Sequence, residues 1–226
     1  MNVILTASQK KQIGKTLISI RAGIELSRQG KNVLMMDLSS GKIKMSEYLN
    51  VNENIIYDIV DVFTDTCPLE QAVIEIEENL SLLPCPRIPG KIDKINKDYF
   101  LKLLKYAENY DQVIIDIDKL THSYIDFTQI QNVVSINNND FSCIKEINTD
   151  KVLASKVDKF TLIINKYNKK AAKKGVMMTL KDIEKLTETT VATVIEENSK
   201  YSKADYQTIF TDNFLNLSPY LSLTFL

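Results

Sequence analysis

The sequence is sparing in the residues that build metal centres and disulfide scaffolds. Its three cysteines, Cys67, Cys85 and Cys143, lie far apart and form no CxxC pair. An odd, dispersed set speaks against a zinc site and a secreted disulfide framework, and for the reducing cytosol. His122 is the sole histidine, so no histidine metal cluster can be assembled. Neither sign of charge dominates: Lys+Arg 28 against Asp+Glu 29 leaves a formal net charge of −1. No global field therefore drives the chain onto nucleic acid or acidic lipid. No apolar stretch approaches the ~18 residues that a membrane span needs. Residues 1–7 are apolar, but the lysines Lys10, Lys11 and Lys15 follow them instead of preceding them. That charge order is the reverse of a signal peptide's, and the segment reads as a first buried strand. Glycine (6) and proline (5) are few among 226 residues.

What is present is alternation. Short apolar runs occupy residues 3–7, 33–36, 80–83, 113–117, 133–136, 160–164 and 191–195. Most are rich in Val, Ile or Leu, the pattern of parallel strands buried on both faces. Helix-spaced segments lie between and after them, at 15–29, 55–63, 69–75, 99–109, 180–186 and 201–209. The first places Ile18, Ala22 and Leu26 on one side and stops at Gly30. Residues 84–90 hold three prolines and must form a loop. Asn137–Asp140 reads as a turn leading into a further helix. The pattern predicts an α/β fold: a three-layer, doubly wound, mostly parallel sheet with helices on both faces. Without repeats or a clean linker, residues 1–226 are expected to form one domain.

The most informative segment joins the first strand to the first helix: Ser8-Gln9-Lys10-Lys11-Gln12-Ile13-Gly14-Lys15-Thr16. A strand, a loop ending in Gly-Lys-Thr and a helix is the context of a P-loop. There, backbone N–H groups and the helix start hold phosphates, a lysine neutralises them and a hydroxyl holds Mg²⁺. The general pattern G-x-x-x-x-G-K-[ST] needs glycine where this chain has Gln9, so a merely cationic helix start is the competing reading.

The segment resembles the deviant Walker A motif of the MinD/ParA family, K-G-G-x-G-K-[ST]. Lys10 matches the signature lysine and Gly14, Lys15 and Thr16 match the end, while Lys11 and Gln12 replace two glycines. The likeness continues through Gly30-Lys31-Asn32-Val33-Leu34-Met35-Met36-Asp37, similar to the family's second strand. It extends through Tyr110-Asp111-Gln112-Val113-Ile114-Ile115-Asp116, in the form of a Walker B strand, and through Ile163-Ile164-Asn165-Lys166-Tyr167-Asn168, similar to the strand and loop that meet adenine. It covers roughly residues 1–210, in order.

The resemblance implies Mg²⁺ with ATP or ADP as cofactor. Lys10, Gly14, Lys15 and Thr16 would be the phosphate-binding residues, Thr16, Asp37 and Asp116 the metal side, and Asn165 the adenine contact. It also implies a homodimer in which Lys10 reaches the partner's nucleotide. The chain departs from the family where hydrolysis is organised. Asp37-Leu38-Ser39 stands for Asp-x-Asp, and Asp116-Ile117-Asp118-Lys119-Leu120 lacks the Pro and Gly of Asp-x-Pro-x-Gly. Phosphoryl transfer rests on positioning and electrostatics, so these losses imply slow or absent turnover, with Asp118 as an alternative water-placing group. Gln9, Lys11 and Gln12 replace loop glycines at about 1 kcal/mol each wherever a positive φ is required. Two expectations stay open: a strained loop that still binds nucleotide, or a remodelled loop whose Lys10 or Lys11 fills the phosphate site.

Two functions follow. One is a nucleotide-binding positioning or scaffolding factor that dimerises, at most a weak ATPase. The other is a nucleotide-free interaction module that keeps the fold as a surface for an unidentified protein partner. The basic run Lys166–Lys174 reads as a solvated face, not a DNA-binding surface. The apolar stretch 214–226 lacks Lys and Arg and reads as packing on protein instead of lipid.

Overall fold

A computed structural model describes residues 1–41, 43–197 and 209. Its framework is an eight-stranded sheet in the order β3-β4-β2-β5-β1-β6-β7-β8. The strands are β1 (Asn2–Ala7), β2 (Val33–Asp37), β3 (Ile74–Glu77), β4 (Leu80–Leu83), β5 (Gln112–Asp116), β6 (Asn132–Asn137), β7 (Lys159–Tyr167) and β8 (Val191–Glu196). All pairings are parallel except β3 with β4. The apolar runs predicted from sequence are therefore strands, and β7 continues beyond its run to Tyr167.

One expectation is corrected. The predicted helix over 69–75 is a single turn, Leu69–Ala72, followed by β3 on the sheet edge. Ile74-Glu75-Ile76-Glu77 alternates with a period of two, the strand pattern. Four residues are too short a window for that signal to beat the helical turn before it. The predicted helix over 55–63 shortens to Ile59–Phe63, where Asp58 caps the start by accepting from the Val60 and Asp61 N–H groups. The expected helix over 201–209 lies outside the described residues except for Ile209, which is helical and fully buried. The apolar stretch 214–226 also lies outside them.

Two buried clusters fill the sheet's faces, as period-two alternation requires. Val3, Leu5, Leu34, Met36, Val113 and Ile115 face one side, with Phe63, Phe100 and Leu103. Ile4, Val33, Met35 and Ile114 face the other, against α1 (Lys15–Arg28). Packing holds α1 in place. Leu17, Ile18, Ile20, Ile24 and Leu26 are buried, worth about 2 kcal/mol apiece, whereas isoleucines and Gly23 are mediocre helix formers. Gly23 is there because a Cβ would sit 2.7 Å from the Met35 Sδ. On the same helix the buried Arg21 guanidinium donates to the Ile209 carbonyl at 2.9 Å and meets Glu25 at 3.3 Å. The face that carries Ile4, Met35 and Ile114 also carries Thr6, Asp37 and Asp116 at the strands' C-terminal ends. Alternation therefore delivers both carboxylates to the side where α1 begins.

Candidate functional site

β1 is flanked by β5 and β6, and the chain crosses from β1 past β5 to β2. Open α/β sheets bind ligands beyond the strand ends at such a switch point. The loop leaving β1 enters α1 through Gly14, whose φ is +86°. Only glycine takes that conformation cheaply, and a Cβ there would also lie 2.5 Å from the Asn165 Nδ2. Among the described residues no side chain caps this helix start, and its first turn carries no acid. It presents positive potential where most helices are capped.

Three of the four residues expected to meet at this rim are in contact. Lys15 Nζ lies 3.3 Å from Asp116 Oδ1, and the Thr16 hydroxyl donates to Asp116 Oδ2 at 2.7 Å. Thr6 and Ser19 hydroxyls approach Oδ1 at 3.4 Å each. Asp116 is fully buried. Burial pushes its carboxyl up to about 6, Lys15 pulls against that and neighbouring Asp37 adds to it.

Asp37 stands opposite Asp116 in the β2–β5 register but turns to its own loop. Oδ1 accepts from the Ser39 N–H at 3.0 Å and the Ser39 hydroxyl at 2.7 Å, and Oδ2 accepts from the Met45 N–H at 2.9 Å. Ser39, read in sequence as a lost carboxylate, thus anchors the retained one. Asp118 joins the two sides. Its Oδ2 accepts from the Ser40 N–H at 2.8 Å and its Oδ1 lies 3.6 Å from Lys15 Nζ. Burial works to raise the Asp118 carboxyl, but the Ser40 hydrogen bonds and Lys15 outweigh it and hold the group below the ordinary carboxylate range.

Lys10 points the other way, to Asp140, to Asn138 Oδ1 at 2.6 Å and to Glu146 Oε2 at 3.6 Å. Lys11 is exposed. The Lys10 ammonium is thus held by the segment after β6 and not at the start of α1. The expected strain is confined to one position: of Gln9, Lys11 and Gln12, only Gln12 has a positive φ, +56°. Gln9 instead donates to the buried Asp150 at 2.7 Å, and Asp150 also accepts from Ser135 at 2.6 Å. Asn165 donates to the Ile13 carbonyl at 2.6 Å and Lys166 to the Gln12 carbonyl at 2.7 Å. Side chains from β7 and from α2 (Cys143–Leu153) thus fix this loop. Sequence reading missed these clamps, because Gln9–Asp150 and Gln12–Lys166 span more than a hundred residues and no local pattern marks them.

Apart from the Lys15 ammonium, the groups on Asp116 are hydroxyls, and its carboxylate with the Thr16 hydroxyl offers oxygen ligands of the kind a hard cation prefers. No group of three or more His, Cys, Asp or Glu able to hold a metal occurs among the described residues. Two oxygen ligands are the number Mg²⁺ takes from protein when water and phosphate oxygens complete its shell. No helix among the described residues is long and apolar enough to cross a membrane.

The chain is 24% identical over 209 residues to the septum site-determining protein MinD of Synechocystis, covering 88% of this chain and 77% of the relative. Its fold matches that of the MinC:MinD cell division protein complex of Aquifex aeolicus, with a TM-score of 0.77, 23% identity and coverage of 92% and 86%. It also matches MinD of Pyrococcus horikoshii complexed with Mg-ADP, with a TM-score of 0.77, 18% identity and the same coverage. A model of the CobQ/CobB/MinD/ParA nucleotide binding domain matches residues 4–209. The chain belongs to that MinD/ParA family of nucleotide-binding domains.

Proposed function

We propose that this chain binds ATP or ADP with Mg²⁺ at the start of α1, turns it over slowly or not at all, and acts as a positioning or scaffolding factor through dimerisation. The supporting observation is the meeting of Lys15 and Thr16 with Asp116 beneath an uncapped helix start. On this reading, Gly14 and the first N–H groups of α1 receive phosphate oxygens and Lys15 neutralises them. Thr16 and Asp116 hold Mg²⁺, with Asp37 oriented behind them. The ion, when bound, offsets phosphate charge. On this reading Asn165, which lies against Gly14, contacts the adenine. Lys10 leaves Asp140 to reach the second copy's nucleotide. Slow turnover follows from Ser39, which has no second carboxylate to offer an attacking water, and from the lack of the Pro and Gly after Asp116.

A second reading, a nucleotide-free interaction module, draws on one observation. The cations of this loop already have internal partners, Lys15 in Asp116 and Asp118, and Lys10 in Asp140. Calorimetric titration of ATP and ADP with Mg²⁺ separates the two. The first reading expects sub-millimolar binding that Lys15→Ala abolishes; no heat at millimolar nucleotide leaves only the second.

A further inference from the structure

Asp118 is the residue of this rim that the binding scheme does not use. It follows β5 by two positions, so it returns to the face of Asp116, while the intervening Ile117 is buried on the opposite side. One of its oxygens holds the Ser40 N–H in the loop after β2, and the other lies 3.6 Å from the phosphate-loop lysine. Its side chain is 29% exposed against 10% for Lys15. The carboxylate is thus the more solvent-exposed partner of the pair.

Charge at this point is lopsided. Lys15 carries one positive charge and faces two carboxylates, Asp116 and Asp118, with Asp37 one strand away. Two nearby ammonium groups, those of Lys44 and Lys10, are engaged elsewhere. Lys44 Nζ is bound to the Ser39 carbonyl and to Cys85 Sγ at 3.2 Å, and Lys10 to Asp140. At the Lys15 ammonium itself a bare polyphosphate therefore meets two carboxylates, which oppose it even as the α1 start attracts it. We propose that Asp118 is an internal counter-anion for Lys15, so that this chain takes up nucleoside di- or triphosphate only as the divalent-cation complex. The proposal rests on the nucleotide-binding reading above. Nucleotide entry exchanges the Asp118–Lys15 contact for a phosphate–Lys15 contact, and the cation compensates the carboxylates left behind. Asp118 acts through Lys15 and is a positioning residue.

The experiment is calorimetric titration of the full chain with ADP, in Mg²⁺ and in excess chelator, for the wild type, Asp118→Asn and Asp118→Ala. Asparagine keeps an oxygen for the Ser40 N–H and removes only the charge. The expected result is that Asp118→Asn raises the chelator affinity about ten-fold and changes the Mg²⁺ affinity about three-fold or less, narrowing the Mg²⁺ dependence. Lys15→Ala combined with Asp118→Asn should erase the gain. Binding by Asp118→Asn where the wild type gives no heat also supports the proposal. An unchanged Mg²⁺ dependence in a wild type and variant that both bind overturns this inference and leaves nucleotide binding standing. Equal weakening in both conditions, with a lower unfolding midpoint for both variants, assigns Asp118 a merely structural role and overturns it too. No heat from any of the proteins overturns the nucleotide reading, and this one with it.

Discussion

Asp37 and Asp116 are neighbours in register, equally buried at the ends of adjacent strands, yet they keep different company. Asp37 is bound by two backbone N–H groups and a hydroxyl of its own loop. Asp116 is held by side chains of α1 and β1, Thr16, Lys15, Ser19 and Thr6. Backbone donors cannot leave without unmaking the turn, whereas side chains can rotate to an incoming ligand. One carboxylate shapes the rim; the other holds exchangeable contacts.

The largest expected effect tests the first half of that contrast. Asp37→Ala leaves three donors without their acceptor in the interior, a loss of about 3 kcal/mol in urea unfolding. A loss below about 1 kcal/mol would mean that water or the chain replaces the carboxylate easily. Next comes Asp116→Asn. The folded-state carboxyl sits near 6, above its ordinary 3.8, so the native state binds the proton more tightly than the unfolded chain. Its contribution is therefore greatest at low pH and declines as pH rises through about 6. The variant lacks that decline, so its stability relative to the wild type should rise as pH increases through about 6. Unfolding free energies measured across this range check the sign; a difference that shrinks as pH rises contradicts it. The smallest effect concerns the loop that carries Lys15 to Asp116. Gln12→Gly relieves a positive φ but adds unfolded-state entropy, for a net gain of about 0.5 kcal/mol in thermal unfolding. A clear loss would locate the stabilising role in the Gln12 side chain.

Much of the fold is written locally. Runs such as Val113-Ile114-Ile115 and Val133-Val134 declare buried parallel strands, and the β1–loop–α1 junction declares the rim. Edge strand β3 was illegible because its alternation lasts only four residues behind a true helical turn. At the site, Lys15, Thr16 and Asp116 could be grouped from sequence, since strand–loop–helix order and strand-end position bring them together. The setting of Asp37 could not. Ser39 looks like a deletion until the turn is folded and its hydroxyl meets the carboxylate it follows. Nor could the partners of Lys10 and Gln9, which come from the β6–α2 connection and α2 and are set by register across the sheet. Glycine loss in the loop suggested strain at three positions. The chain instead ties Gln9 to Asp150 and the carbonyls of Gln12 and Ile13 to Lys166 and Asn165, leaving one residue in the left-handed region.

Arg21 gives this arrangement a long reach. It lies little more than one turn beyond Thr16 on the same rigid rod, and its guanidinium grips a carbonyl 188 positions further along the chain. Whatever tugs on residue 209 therefore pulls on the lever whose tip carries the ammonium and hydroxyl of the rim. Shortening the polypeptide ahead of that residue would strip a buried cation of an acceptor and loosen the cradle without altering a single group inside it.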